Sequence, residues 1–190
     1  MQTERTMLVS LLLMPLLGCA TGMKMTAEDL RDLGPGEGLV LGSVRIEGGM
    51  DILGRTSWEL VVNKYRENTW GNTYSDYTIE AARDGDEVVF LTKMPAGRYS
   101  FERPVQSGLS SAELLIGVPF EIQAGKTVYV GRILIQFPPG LIDALTEVNV
   151  QVEDDRQATM DRAASEYGVA LSDVVTDLRN VGPRLVSLSP

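Results

Sequence analysis

Hydrophobic and polar residues alternate along most of the chain between residues 39 and 152. In the first such segment, one side of an extended chain would carry Val40, Val44 and Ile46, as in a half-buried β-strand. Near the end of the region, the stretch from Glu147 to Val152 alternates between polar residues and valine. About eight segments of this kind, separated by glycine-rich turns, predict a mainly β domain over residues 39–152, a β-sandwich or a barrel, of which we expect an antiparallel β-sandwich.

The spacing of apolar residues changes after residue 153, where it becomes that of helices. A first helix is predicted to begin at Asp154 or Asp155, which provide an N-cap, and to end at Gly168. A second is indicated by apolar residues at helical spacing, namely Leu171, Val174, Val175 and Leu178. Residues 153–190 are therefore expected to form a C-terminal helical extension of one or two helices.

A short uncharged apolar run, from Met7 to Leu17, precedes the region of alternation. It is about half as long as the ~20 residues that a membrane-spanning helix requires. A short polar start followed by a short apolar segment is typical of a secretory signal. The run ends in a four-residue stretch that contains the only cysteine of the chain, Leu16-Leu17-Gly18-Cys19.

This four-residue stretch resembles the lipobox of bacterial lipoproteins. The resemblance implies that residues 1–18 are a signal peptide and that the lipid attached to Cys19 anchors the protein in the membrane of the cell envelope. In Gram-negative members of the family, an aspartate after the cysteine favours the inner membrane, so Ala20 implies the periplasmic face of the outer membrane. The alternatives are a buried structural cysteine and a reactive thiol, for which the chain offers no activating histidine.

Residues 19–38 are expected to be a lipidated tether with one short helix. Thr26 and Asp29 fit the two ends of a capping box, in which each side chain accepts a hydrogen bond from the other residue's backbone N–H. Leu30 gives the helix an apolar edge, and Gly34-Pro35-Gly36 ends it. The preferred interpretation is a spacer that packs loosely on the edge of the domain, and the alternative is a helix that docks on it.

Charge and composition exclude several classes of function. The chain carries a formal net charge of −9, which disfavours binding to nucleic acid. The same charge disfavours association with anionic lipid headgroups unless a covalent or apolar anchor holds the protein at the membrane. It contains no histidine, which excludes His-dependent catalytic triads and HExxH zinc sites. Its single cysteine provides neither an internal disulfide nor a multi-cysteine metal site. We therefore expect a protein that is not an enzyme, binds no nucleic acid and uses no cofactor.

Two acidic clusters, residues 84–87 and 153–155, raise the question of a cation site. Carboxylate-rich loops bind Ca²⁺, but neither cluster has the ligand spacing of an EF-hand. The simpler interpretations are an Asp-Gly turn for the first and, for the second, a helix start, where acidic side chains suit the macrodipole. No metal site is predicted.

A second resemblance concerns the fold. The stretch from Asp84 to Phe101, which includes Met94-Pro95-Ala96-Gly97-Arg98-Tyr99, resembles the strand–turn–strand signature of carboxypeptidase-regulatory-like and transthyretin-like β-sandwiches. Residues 120–131 are similar to the second hairpin of small bacterial lipoproteins of unknown function, with Ala124-Gly125-Lys126 as the predicted turn. The resemblance implies a sandwich that serves as an accessory or interaction module and not as a catalyst.

The segment from Lys64 to Tyr77 places four aromatic residues among amides and hydroxyls. Aromatic faces beside amide groups hold sugar rings, and the same residue types form protein-binding hot spots. The candidate contact residues are Tyr65, Trp70, Asn72 and Tyr74. Three interpretations stay open: a long hairpin whose Tyr65 and Tyr77 belong to the flanking strands, a contact with an envelope protein partner, and a glycan contact.

The resulting expectation is a lipid-anchored envelope lipoprotein whose sandwich is a non-enzymatic structural or protein-interaction module. The alternative is a glycan-binding envelope module that uses the aromatic segment 65–77. A third hypothesis, a hydrolase that works with two carboxylates, has no motif that indicates it, although 26 acidic residues always supply some pair.

Overall fold

Two β-sheets packed face to face form the body of the protein, which confirms the predicted mainly β sandwich. This computed structural model describes residues 26–48, 57–65, 77–83, 86–106, 116–137, 147–179 and 184–187. Within those ranges the elements are α1 (Ala27–Arg31), β1 (Glu37–Glu47), β2 (Ser57–Lys64), β3 (Tyr77–Arg83), β4 (Val88–Pro95), β5 (Gly97–Gln106), β6 (Val118–Ile122), β7 (Thr127–Gln136), β8 (Glu147–Glu153), α2 (Arg156–Tyr167), β9 (Val174–Thr176) and β10 (Arg184–Ser187).

The larger sheet has six strands in the order β10-β8-β7-β1-β4, with β9 beside β7, and the smaller sheet has four in the order β3-β2-β5-β6. Neighbouring strands are antiparallel except at two pairings, β1 with β7 and β7 with β9, which are parallel. β1 and β7 lie in the middle of the larger sheet and are buried on both faces. Their sequences are therefore apolar over much of their length, where a strand with one wet face would alternate.

The turn at 124–126 connects the two sheets, so the predicted hairpin there is wrong. β6 pairs with β5 in the smaller sheet, whereas β7 pairs with β1 and β8 in the larger sheet. The turn at 95–97 makes the same kind of crossing, from β4 in the larger sheet to β5 in the smaller one. A glycine turn indicates where the chain reverses, but it carries no information on which strand becomes the hydrogen-bonded neighbour.

The inner core lies between the two sheets. As the alternation predicts, one side of β1 contributes Val40, Val44 and Ile46. The centre of this core is aromatic, because the Phe101 ring stacks on Phe120 with 4.5 Å between ring centroids and Phe120 stacks on Tyr99 at 5.6 Å. The hydroxyl of the buried Tyr99 donates to the Pro95 carbonyl at 2.7 Å, so no unpaired phenol is left inside.

Both described helices lie on the outer face of the larger sheet. They cover an outer cluster of buried apolar residues, which comprises Leu30, Leu39, Leu41, Val89, Leu91, Tyr129, Ala163, Val169 and Val174. Leu30 of α1 is only 4% exposed, so the preferred interpretation of α1 as a loosely packed spacer is wrong and the docking alternative is correct. α2 ends at Gly168 in a left-handed conformation, as predicted.

The start of α2 is capped partly from the sheet. Asp155 occupies the N-cap position, but its carboxylate forms no capping hydrogen bond. Its backbone N–H donates to the hydroxyl of Tyr129 on β7 at 2.9 Å, while the Asp154 carboxylate accepts from the Arg156 N–H at 3.3 Å. Burial raises the pKa of Tyr129. A buried side chain that is distant in sequence therefore helps to fix where the helix begins.

A strand takes the place of the second C-terminal helix that the spacing predicted over residues 171–178. β9 lies parallel to β7, beside Thr127–Tyr129. Asp173 has a φ of 55°, a left-handed conformation that a continuous right-handed helix does not allow. β10 then pairs with β8. The described part of residues 153–190 thus contributes one helix and two strands of the larger sheet, where a purely helical extension was expected.

A bulge at Gly131 lets β7 hold two strands on one edge. The register between β1 and β7 shifts after Leu41, because β7 has one extra residue there. Residues before the bulge pair with β9, and residues from Arg132 onward pair with β8. Gly131 has a φ of 99°, and a Cβ at this position would lie 2.4 Å from the Val152 side chain. Glycine is therefore the residue that fits the bulge.

The segment that follows β8 also protects strand edges. α2 donates two hydrogen bonds to carbonyls at the edge of β4, from Arg162 to Glu87 at 2.7 Å and from Tyr167 to Val89 at 3.2 Å. On the smaller sheet, the Asp177 carboxylate accepts a backbone N–H of the edge strand β6 at 2.8 Å. Unpaired edge groups are templates for pairing with another chain, so these contacts oppose edge-to-edge association.

Candidate functional site

Most of the candidate residues lie outside the described ranges. These are Leu16, Leu17, Gly18 and Cys19 of the lipobox-like stretch, and Trp70, Asn72 and Tyr74 of the aromatic segment. Tyr65 is described. Within the described ranges, no helix combines the length and apolar character that crossing a bilayer requires. The N-terminal chain and the aromatic segment join the sandwich at one end, which we call the tether end and which comprises residues 34–38, 64–65, 95–98 and 123–126.

The predicted capping box of α1 is confirmed. The Thr26 hydroxyl oxygen accepts from the Asp29 N–H at 3.2 Å, and the Asp29 carboxylate accepts from the Thr26 N–H at 3.0 Å. The same carboxylate accepts the Thr26 hydroxyl at 2.6 Å, and these bonds lower the pKa of Asp29. Lys93 donates to the Asp32 carbonyl at 3.3 Å just after the helix. The chain is thus held against the larger sheet from α1 onward.

The chain then enters the sandwich between the two inter-sheet turns. It is bonded to both turns through the backbone, since Gly36 accepts from Ala96 at 2.7 Å and Glu37 accepts from Gly125 at 2.7 Å. A Cβ on Gly38 would lie 2.3 Å from a carbonyl oxygen of the second turn. The backbones approach too closely there for any other residue. The tether end is therefore a tightly packed junction of three chain segments.

Tyr65 lies at this end and is the exposed large apolar side chain of the described residues, with 55% of its surface accessible. Its N–H donates to the Arg98 carbonyl at 2.9 Å, which holds it beside the start of β5. The Arg98 guanidinium lies over the Tyr65 ring at 5.6 Å, within cation–π distance. The Lys64 ammonium lies 5.5 Å from the ring centroid of Tyr99. We call Tyr65 and Arg98 the Tyr65 surface.

Sequence reasoning did not single out Arg98. It follows the 95–97 turn and is far from Tyr65 along the chain. The antiparallel register of β2 and β5 places Lys64 opposite Tyr99, and this register is what brings Arg98 beside Tyr65. Alternation along β5 shows that Arg98 and Tyr99 face opposite sides, but only the pairing of the two strands identifies the neighbour.

The two aromatic residues that flank the aromatic segment differ in their surroundings. Tyr77 begins β3 and packs against the inner core, with its ring edge toward Tyr99 at 6.0 Å between centroids. Tyr65 lies just after β2 and is exposed. The interpretation that both belong simply to flanking strands is therefore confirmed for Tyr77, whereas Tyr65 lies one residue beyond β2 and its side chain is exposed.

The two acidic clusters meet in the fold, and an arginine lies between them. Arg132 donates to Glu87 at 3.0 Å and to Glu153 at 2.8 Å, and Arg162 of α2 reaches Glu87 at 2.9 Å. Burial lowers the pKa of Arg132, but the two carboxylates outweigh that effect and raise it overall. In the part of the chain that the structure describes, no three acidic, His or Cys side chains are grouped as a metal ion requires. The cluster joins the larger sheet to α2.

The Tyr65 surface combines an aromatic ring with a cationic guanidinium. This chemistry suits recognition of sugar rings, carboxylates or phosphates, and it contains no group arranged as a nucleophile with its base. No family model matches this chain, and no curated protein or solved structure matches it either. The likeness to lipoproteins and to transthyretin-like sandwiches therefore rests on the residues quoted for it.

Proposed function

We propose that this protein is a lipid-anchored lipoprotein of the cell envelope whose sandwich is a non-enzymatic structural or protein-interaction module. The observation that carries the proposal is the docking of α1, whose capping residue Thr26 follows Cys19 by only seven residues. Leu30 is buried in the outer cluster, and the segment after α1 is bonded to both inter-sheet turns. A lipid on Cys19 would thus hold a packed domain close to the membrane.

The covalent lipid would supply the membrane affinity that the acidic chain lacks. One acyl chain binds reversibly, whereas two or more give stable attachment at ~0.8 kcal/mol per buried CH₂ group. The seven residues from Cys19 to Thr26 span at most ~25 Å when fully extended, so the domain stays near the bilayer surface. With Ala20 after the cysteine, we propose the periplasmic face of the outer membrane as its location.

An interaction role fits the side chains that the fold presents. The chain has no histidine, and the carboxylates of Glu87 and Glu153 are bonded to Arg132. The exposed Tyr65 with its neighbouring Arg98 is instead the kind of pair that anchors a binding surface, since Tyr and Arg are enriched in hot spots. We therefore propose an envelope protein as the partner.

Metabolic labelling tests the lipid. Radioactive palmitate should enter the wild type and the neighbouring control variant Ala20→Ser, and it should not enter Cys19→Ala. Equal labelling of Cys19→Ala and the wild type would show that the interpretation of the N-terminus is wrong.

Crosslinking in intact cells followed by mass spectrometry tests the partner. A reproducible envelope protein should be captured by the wild type and lost in Tyr65→Ala. Gln157→Ala, on the exposed surface of α2, serves as a control that should retain the capture. Absence of any reproducible partner would remove the main support for an interaction role.

The second candidate function is glycan binding, which the exposed ring of Tyr65 favours. Trp58 and Trp70 are the two tryptophans, and Trp58 packs on Phe137 at 5.5 Å beside the inner core. Trp58→Phe therefore leaves Trp70 as the single fluorescent reporter. Titration with peptidoglycan fragments or polysaccharide should shift its emission, and Trp70→Ala should abolish pulldown. No shift with either ligand would exclude this candidate.

A further inference from the structure

We infer that the Tyr65 surface rests on anionic phospholipid headgroups of the same membrane that holds the lipid on Cys19. The inference depends on the proposed lipid attachment and adds an orientation to it, with the tether end facing the bilayer. Three features carry it: the reach of the N-terminal chain, the charge at the tether end and the exposed aromatic ring.

The reach of the N-terminal chain brings the tether end close to the bilayer. The link from Cys19 to Thr26 spans at most ~25 Å, and from there the chain passes through α1 to residues 34–38. β1 starts at this end and is an 11-residue strand, so its far end lies ~36 Å further along the sandwich. A domain held in this way presents the tether end, and not the far end, to the membrane.

The charge at the tether end contrasts with that of the chain as a whole. The chain has a net charge of −9, yet this end carries the cations Lys64, Arg98 and Lys126, and its one carboxylate, Glu37, lies 3.7 Å from the Lys93 ammonium. Arg98 and Lys126 are exposed, and neither forms an ion pair with another described residue. A lysine or arginine near an anionic bilayer strengthens association by roughly fivefold, and a local cluster has this effect even in an acidic protein.

Carboxylates on neighbouring elements determine which side turns toward the bilayer. On the outer face of the larger sheet, α1 and its C-cap carry Glu28, Asp29 and Asp32. On the smaller sheet, Glu121 lies opposite Arg98 in the register of β5 and β6 and is 3.7 Å from Arg179, which offsets its charge. Repulsion of the α1 carboxylates by anionic headgroups therefore turns that face away and brings the Tyr65 surface toward the phosphates.

Tyr65 adds an interfacial side chain to these cations. A tyrosine has an apolar ring and a polar hydroxyl, and such residues are enriched where membrane meets water. The Arg98 guanidinium lies over the ring at 5.6 Å, so the two groups are presented side by side. In a headgroup layer, the guanidinium would pair with the phosphates and the ring would contact the first methylene groups below them.

The orientation is tested with the lipidated mature chain in vesicles. Cys19 is the only cysteine and its sulfur carries the lipid, so one introduced cysteine provides a single labelling site. Gln123→Cys places a fluorophore at the exposed tether end, and Asp86→Cys places it before β4 at the far end as a matched control. In vesicles of phosphatidylcholine with phosphatidylglycerol, energy transfer to a headgroup acceptor should be strong from position 123 and weak from position 86.

The contribution of each feature is tested in the same vesicles. Arg98→Gln combined with Lys126→Gln should lower the equilibrium constant for the docked orientation by ~25-fold, since each charge contributes about fivefold. Tyr65→Ala should lower it as well. Arg31→Gln, at an exposed cation of α1, should leave it unchanged. Equal energy transfer from positions 123 and 86, or no effect of the double variant, would overturn the inference.

Two readouts separate this inference from the other proposals. Mass spectrometry of the same preparation reports the lipid on Cys19, and its absence would overturn the proposed function itself. With the lipid present, a missing orientation overturns the headgroup contact alone. If Tyr65→Ala leaves the vesicle contact intact but abolishes capture of the envelope protein or binding to polysaccharide, the Tyr65 surface is a protein or glycan site and the headgroup contact is wrong.

Discussion

The inner core and the outer cluster are both apolar and buried, but they are stabilised in different ways. Between the two sheets, large rings fill the centre, namely Phe90, Tyr99, Phe101 and Phe120. Under the helices, α2 contributes only two buried residues, Thr159 and Ala163, and both are small. The inner core therefore draws its stability from the area that large side chains remove from water, whereas the outer cluster depends on a helix held at close range.

Polar contacts at the rim hold α2 over the outer cluster. Arg156 donates to the Val174 carbonyl at 2.7 Å near the start of the helix, and Tyr167 donates to the Val89 carbonyl at its end. Each such bond contributes about 1 kcal/mol net, less than a buried aromatic ring. We therefore expect substitutions in the inner core to lower the free energy of unfolding most. Substitutions around α2 should have smaller and more local effects.

The largest effect is expected from Phe101→Ala in the inner core. Phe101 is fully buried and stacks on Phe120, so its removal should lower the free energy of unfolding by about 4 kcal/mol. Val169→Ala in the outer cluster removes fewer atoms and should cost about 1 kcal/mol. Urea unfolding followed by circular dichroism measures both. Equal losses would contradict the contrast between the two apolar regions.

The next effect is expected at the bulge that divides the edge of β7. Gly131→Ala adds a Cβ 2.4 Å from Val152 at a φ of 99°, and it should lower the free energy of unfolding by about 3 kcal/mol. Gly125→Ala is the matched control, because its φ is 70° but nothing lies within 4 Å of the added atom. Backbone strain alone should cost about 1 kcal/mol there. Similar losses in the two variants would show that the contact with Val152 is unimportant.

A smaller effect is expected from Arg132→Met, which removes the guanidinium between Glu87 and Glu153. The side chains of Arg132, Glu87 and Glu153 are 22%, 14% and 40% exposed, so water screens part of the interaction and the loss should be about 1–2 kcal/mol. Adding Glu153→Gln should recover part of it, because one uncompensated carboxylate is then gone. Thermal unfolding of the single and double variants gives the coupling, and full additivity would argue against the network.

The smallest effect at neutral pH is expected from Tyr129→Phe. The variant loses the hydroxyl that accepts from the Asp155 N–H, at a cost of about 1 kcal/mol. Hydrogen exchange should then be faster in the first turn of α2 and unchanged in β5. Unchanged exchange in both elements would show that this bond does not hold the helix start.

Tyr129 also predicts a pH dependence. Burial raises the pKa of Tyr129 in the folded state above its ordinary value of 10.0, so the folded chain keeps a proton that the unfolded chain loses. The resulting stability is present below about pH 10 and is lost as the pH rises through the folded-state pKa. The free energy of unfolding measured at increasing alkaline pH should fall more steeply in the wild type than in Tyr129→Phe. Parallel curves would contradict the assignment.

Part of the fold was predictable because it depends on local pattern. Alternation identified the strands that line the inner core, such as β1 with Val40, Val44 and Ile46. Which strands pair with each other was not predictable from local pattern. The 124–126 turn has the residues of a hairpin, yet β6 and β7 separate into different sheets because β7, apolar on both faces, is buried between β1 and β8.

In residues 171–178, the apolar residues are spaced as in a helix, but the segment contains a strand. Leu171, Val174 and Leu178 satisfy a helical template, but the edge of β7 before the Gly131 bulge is open for a short parallel strand. Asp173 adopts a left-handed conformation that turns the chain into that position. A three-residue strand is too short for its own period to be recognised.

In the candidate site, too, some residues were predictable from the sequence and others were not. Cys19 with the residues before it, and the aromatic segment beginning at Tyr65, are contiguous in the chain and were identified without coordinates. Arg98 was missed because its relation to Tyr65 is a register between two strands. The convergence of Glu87 and Glu153 on Arg132 was missed for the same reason.

The sequence by itself determined a mainly β domain, the capping box of α1 and the end of α2 at Gly168, because each depends on residues within one or two turns of chain. Only the tertiary structure decided that β6 and β7 belong to different sheets, that residues 174–176 form a strand and that Arg98 lies over Tyr65. Those features depend on which distant segments lie side by side, and side-chain period constrains the face of a strand without naming its neighbour.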